Sequence, residues 1–166
     1  MTMHALVVGT FVPMLESLDG WISKAPKSLP ATTSLATDMV GLGSQIAIAC
    51  DHALACAARL GELDTPSPAD RPLDRIADIR ARIGGTVATL RAMPEDAFRG
   101  AEERAIVMPL EDGLVLTLHG DRFARDWALP LFYFHVVLAY GMLRHAKVEL
   151  GVRDYLAHVG DAISRA

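Results

Sequence analysis

Residues 129–143 read LPLFYFHVVLAYGML, a stretch whose only titratable groups are the imidazole of His135 and the phenols of Tyr133 and Tyr140. Such a run is either a membrane span or the buried helix of a packed protein, and length separates the two, because a span needs about 18 to 20 apolar residues. This run is shorter and is bounded by Asp126 and Arg144. It therefore predicts a buried helix, and a helix that is apolar nearly all round needs neighbours on several sides. The fold class that supplies them is mainly α, an antiparallel four-helix bundle.

The rest of the chain divides around this helix. Upstream, Leu6, Phe11, Met14, Leu15, Leu18 and Ile22 recur near the 3.6 period and predict a first helix over about Ala5 to Ser23. Lys24 to Thr33, with Pro26 and Pro30, reads as a loop. A second helix is expected from about Asp38 to Leu60, closed by Gly61, and a third from near Pro72, with Leu73, Ile76, Ile83, Val87 and Leu90 on one side. Gly84-Gly85 either weakens that helix or lets a neighbour approach. After Pro94 the period changes to that of strands. Ala105 to Leu110 and Leu114 to His119 flank Glu111-Asp112-Gly113, which predicts a small β-hairpin before the last long helix. That helix is expected to run from Gly120-Asp121 to about Lys147, with Pro130 kinking it or opening its second part, and a short tail helix from about Arg153 to Ser164.

Composition sets the outer limits. A chain of 166 residues, half of them apolar, with a mean hydropathy of +0.26, is expected to be one globular domain with a substantial core. The formal charge of -4 comes without a clustered basic stripe, so nucleic acid is not an expected partner. Met1 to Leu15 is apolar but has no Lys or Arg before it and no cleavage site after it, so it reads as the first helix rather than a signal segment. Cys50 and Cys56 are six apart on one helix and cannot pair; they are expected to be buried thiols of a cytoplasmic protein. No membrane partner is expected.

The chemistry centres on His135. Advancing about 100° per residue puts it among Leu131, Leu138, Ala139 and Met142, with Tyr133, Tyr140 and Arg144 opposite. Among the apolar neighbours, an imidazole must be hydrogen-bonded or bound to something. Ordinary packing would satisfy it with a carbonyl or carboxylate of a neighbouring helix; otherwise His135, Asp51, Ala139 and Met142 would line a ligand pocket. His145 lies about 15 Å further along the axis and cannot share an ion with it. The second helix carries Asp51-His52 in a stretch of small apolar residues. With Ile46, Cys50, Ala53 and Ala57 as its core face, Asp51 sits at the shoulder and can turn inward to fix the His135 tautomer, while Gln45, His52 and Arg59 form a stripe facing out. Phe132-Tyr133-Phe134 reads as packing. The chain has no H-E-x-x-H, C-x-x-C, G-x-S-x-G or phosphate-loop pattern.

Several of these segments carry a resemblance: Q-I-A-I-A-C-D-H-A from Gln45, F-R-G-A-E-E-R from Phe98, L-P-L-F-Y-F-H from Leu129, L-R-H from Leu143 and V-E-L-G-V-R-D-Y-L from Val148. Together they resemble a bacterial family of unknown function grouped with the DinB/YfiT-like metalloenzymes. The resemblance implies a four-helix bundle, frequent homodimers and, in active members, a zinc or nickel ion held by one histidine of the second helix and an H-x-x-x-H pair of the last. Some of those members are thiol-dependent transferases or isomerases. His135 matches the first histidine of the pair, but four residues on stands Ala139, which cannot coordinate, and the second-helix ligand would be Asp51 or, failing that, His52. Two uses of His135 follow: a metal ligand or base in an enzyme, or the buried polar tie of a non-catalytic dimeric bundle that binds a small ligand or a partner.

Overall fold

The computed structural model describes residues 1–65 and 73–162. Helix α1 spans Met3–Ser23, beginning two residues earlier than its apolar rhythm suggests because the hydroxyl of Thr2 accepts the amide of Ala5 and caps it. Its buried stripe of Phe11, Leu15, Leu18, Trp21 and Ile22 is wholly enclosed. Helix α2 spans Leu42–Leu60 and starts four residues later than expected. The cause is local: the amides of Leu42 and Gly43 donate to the carbonyls of Thr33 and Ala31, so the backbone before Leu42 is clipped to the preceding loop. A side chain at Gly41 would strike the Thr32 backbone. Gly61 closes α2, while Glu62 takes the left-handed conformation, φ 50°.

Helix α3 spans Ile76–Ala92; the expected start near Pro72 lies outside the described residues. Gly84 and Gly85 have no atom near the position a side chain would take, so no neighbour uses the space. The strands β1, Ala105–Pro109, and β2, Val115–His119, pair antiparallel with Val107 opposite Thr117, as the alternation predicts. Asp112 and Gly113 adopt positive φ in the connection, the conformation for which Asp and Gly are suited.

The chain then runs without a break into α4, Gly120–His145. Its stretch Phe123–Ala128 is π-helical and precedes Pro130, where the missing N–H and the ring would disturb a regular α-helix. Where a single tail helix was expected, the described residues form the short α5, Val152–Tyr155, followed by a tighter 3-10 turn over Ala157–Ala162, and the expected end at Ser164 lies outside them. Trp21 ties this tail down: its indole N–H donates to the Asp154 carbonyl at 2.9 Å, and its ring stacks on Tyr155.

The fold is thus mainly helical with one small two-stranded sheet, and side chains from all four long helices enter a common core. α2 is packed on both flanks, against α4 and against α3. By length and composition alone α1 and α4 could each cross a membrane, yet they differ in burial. In α1 56% of the apolar window is covered within the chain, in α4 only 33%.

At Gly120 the hairpin joins α4 directly over the Ala101 carbonyl, where a β-carbon would collide, and Asp121 donates its amide to Glu102. Gly120→Ala is expected to lower stability by about 1 to 3 kcal/mol. A urea midpoint unchanged from the parent would contradict this contact.

Candidate functional site

The site lies along the seam between α2 and α4. Gln45, His52 and Arg59 are seven residues apart and share one stripe of α2, but the stripe faces the seam and not open solvent. Gln45 is only 3% exposed. Its side-chain carbonyl accepts the Nδ1–H of His135 at 2.7 Å. His52 donates its Nε2–H to the Ala128 carbonyl at 3.1 Å, and the sulfur of Cys56 lies 3.3 Å from the same nitrogen. Arg59 donates to the sulfur of Met108 in the hairpin.

These partners set the proton positions. A donated Nδ1–H leaves the Nε2 of His135 as its acceptor, and a donated Nε2–H leaves the Nδ1 of His52 as its acceptor. Burial pushes the pKa of His52 down, opposed by the Ala128 bond and aided by the neighbouring His135; burial likewise lowers His135. Both rings are therefore neutral at neutral pH. Burial pushes the Cys56 thiol up to about 12 and Cys50 to about 11, so both sulfurs are protonated and poor nucleophiles. Both are free and buried.

The expected partnership of Asp51 with His135 is corrected here. Asp51 turns the other way, to an ion pair with Arg82 of α3, whose side chain is 13% exposed. Neighbouring positions on a helix point about 100° apart, so when His52 faces α4 its neighbour Asp51 faces α3. His52, expected to face out, is thus the residue that meets α4, and Asp51 is covered by α3. His135 itself is half-buried at the edge of the α4 core face, which is formed by Phe132, Val136, Ala139 and Leu143. Leu131 and Leu138, expected inside, are only partly covered. Ala139 and Met142 are wholly buried and act as core packing. Tyr140, expected on the outer side, packs edge-on against Trp21, and Arg144 donates to the Leu150 carbonyl. Of the aromatic run, Phe132 packs on Phe11, whereas Phe134 is 56% exposed with its ring edge-to-face on His135.

Gln45 was therefore missed as a site residue, and His52, named only as the ligand of second choice, was expected to face out. The available signal was polar side chains at a seven-residue repeat in a helix whose other residues, Ser44 and Asp51 apart, are Ala, Ile, Leu, Cys and Gly. The residues do not fit a three-ligand metal centre. The two imidazoles influence each other electrostatically, each with one nitrogen committed to the protein, while Ala139 offers no donor and Asp51 belongs to Arg82. Among the described residues no three His, Cys, Asp or Glu side chains gather as a ligand set. What the seam holds is a pair of neutral imidazoles with fixed tautomers.

Residues 3–156 match the family described as Domain of unknown function (DUF1993). No curated protein matches the chain. Among solved structures, the crystal structure of a DinB family member protein from Shewanella denitrificans is similar, with 33% sequence identity and a TM-score of 0.77 over 92% of this chain and 90% of that one.

The lowered histidine pKa values give a pH dependence whose sign can be worked out. In the unfolded chain these rings take up protons as pH falls through their ordinary value of 6.5, and in the folded chain only at lower pH. The unfolded state then binds more protons, so the stability present at neutral pH is lost as pH drops below that value. In urea titrations between neutral and mildly acidic pH, the His52→Gln/His135→Gln variant is expected to show a shallower loss than the parent. Equal slopes would contradict the assignment.

Proposed function

The chain belongs to the DUF1993 family and shares the DinB-like fold, and from that position we propose that it is a non-catalytic antiparallel four-helix bundle acting as a binding module, with a second copy of itself as its first partner. The observation that carries the first half of this reading is the hydrogen bonding of the two imidazoles. In a catalytic zinc or nickel site three protein side chains hold the ion and leave one position open. Here the place of the third ligand is a buried alanine, and Gln45 and the Ala128 carbonyl take the bonds that orient the rings. Gln45 and His135 thereby serve as a polar tie between α2 and α4. Two reduced, buried thiols are in keeping with a cytoplasmic location.

The second half rests on the uncovered side of α4. Pro130, Phe134 and Val137 follow one another along a single outward stripe, with Phe134 56% and Val137 50% exposed. Ile48 of α2 and Leu35 of the preceding loop are also exposed, and Leu35 lies beside Gly141. An apolar face of this kind is a surface for association. A two-fold pair is the arrangement in which one self-complementary face serves both partners. Between Asp126 and Arg144 the helix carries no formal charge with His135 neutral, so no charge interrupts this face.

A second reading, an enzyme or degenerate enzyme using a metal or a thiol co-substrate, draws on one feature. The Nε2 of His135 is a neutral acceptor whose tautomer Gln45 fixes, a suitable arrangement for a base or a ligand. The two readings separate on metal content. Protein purified without a tag is expected to carry no stoichiometric zinc or nickel by elemental analysis; about one ion per chain, lost in both His135→Ala and His52→Ala, would establish the second reading. Light scattering is expected to give twice the chain mass of 17.9 kDa for the parent and the single mass for Val137→Glu.

A further inference from the structure

A glycine in the interior of a helix weakens it against alanine, and is expected there when a neighbouring backbone must come close. Gly84 and Gly85 sit side by side in the middle of α3, both exposed, and neither has an atom within 4 Å of the place a side chain would take. The pair serves no close approach, so its effect is to weaken α3 at its centre. A cleft of about 560 Å³ lies at the same level between α1 and α3, lined by Glu16, Asp19, Arg80, Ile83, Gly84 and Val87. The N-terminal end of α3 is weak as well, because Arg75 stands at the capping position and no side chain there accepts a helix amide. These features mark off residues 76–83, roughly the first two turns of the helix.

Those turns are held by the buried Ile76, Ile79 and Ile83, by the part-exposed pair of Arg80 with Asp19, and by the pair of Arg82 with Asp51. The Nε of Arg82 is enclosed without a partner among the described residues, which opposes the closed state. We propose that residues 76–83 open as a unit about Gly84-Gly85 while the rest of the bundle stays folded, and that this opening uncovers Cys50. Cys50 is wholly buried in α2, with its thiol hydrogen-bonded to the side chain of Thr86, just past the glycine pair, and in the field of Arg82, just before it. Cys56 lies on the other flank, beside His52, which bonds to α4. Opening of α3 leaves that seam closed. α2 thus carries one thiol gated by α3 and one that only global unfolding exposes; the gated thiol becomes open to electrophiles when α3 moves.

N-ethylmaleimide, to whose double bond a cysteine thiolate adds, reads the movement when the two cysteine peptides are quantified by mass spectrometry and each rate is divided by that of the urea-unfolded chain. In the parent, Cys50 is expected to react more than about ten-fold faster than Cys56, and with a weaker dependence on urea below the unfolding transition, because a local opening exposes less surface. Both glycines have room for a methyl group, so Gly84→Ala/Gly85→Ala is expected to fold and to slow Cys50 by about ten-fold. The Gly120→Ala variant, weakened outside α3, is expected to speed Cys56 and leave Cys50 unchanged. Cys50 reacting no faster than Cys56 would overturn the proposal, since both thiols would then await global unfolding. A faster Cys50 whose rate is the same in the alanine variant would overturn it too, because the opening would not pass through the glycine pair.

Discussion

The bond from His135 to the Gln45 side-chain carbonyl joins the middle of α4 to the first turns of α2, in a seam where neither group could remain unpaired without cost. A buried amide or imidazole left without a partner loses on the order of 1 to 3 kcal/mol, so each of these residues is tolerable only because the other is there. Their pairing fixes the rotation of α4 about its own axis. Once His135 points to the seam, Phe132, Val136, Ala139 and Leu143 enter the core, and Phe134 and Val137 turn outward. The same constraint orients α2: Gln45 and His52 face α4, which leaves Asp51 for Arg82 on α3.

This geometry explains how a chain with the DinB-like fold can keep two histidines in the seam and still lack a metal ligand set among its described residues. A bound ion ties helices together through its ligands, and ties of that kind contribute to stability. Here amide and carbonyl groups hold the rings instead, each imidazole donating its one N–H to the protein. Cys56, the nearest soft donor, is held as a neutral thiol by the burial that surrounds it. The seam is therefore built for rigidity and for neutral imidazoles.

Much of the architecture was legible in the residues. The hairpin followed from the switch to alternating residues on either side of Glu111-Asp112-Gly113, and the helices of α1 and α4 from their apolar rhythm. The family followed from segments spread from Gln45 to Leu156. Rotation about helix axes was harder to read. Packed on two flanks, against α3 and α4, α2 has no single outward side, so a position off its main apolar face is still covered. Gln45 and His52 were consequently read as solvent-facing, and Asp51 as the inward partner. In α4 nearly every position from Leu129 to Leu143 is apolar, which made the burial of its helix plain but put Leu131 and Leu138 on the covered face and Tyr140 on the uncovered one, against what is found. The late start of α2 depends on the Ala31 and Thr33 carbonyls, which local sequence does not reveal.

The positions of the protons on the two rings can be measured. Nitrogen NMR of selectively labelled histidine at neutral pH distinguishes a protonated Nδ1 from a protonated Nε2, and repeating it with added zinc shows whether either ring coordinates. The account predicts His135 with its proton on Nδ1, His52 with its proton on Nε2, and both sets of signals unmoved by one equivalent of zinc. Loss of those tautomers, with both rings shifting together as the metal is added, would contradict it.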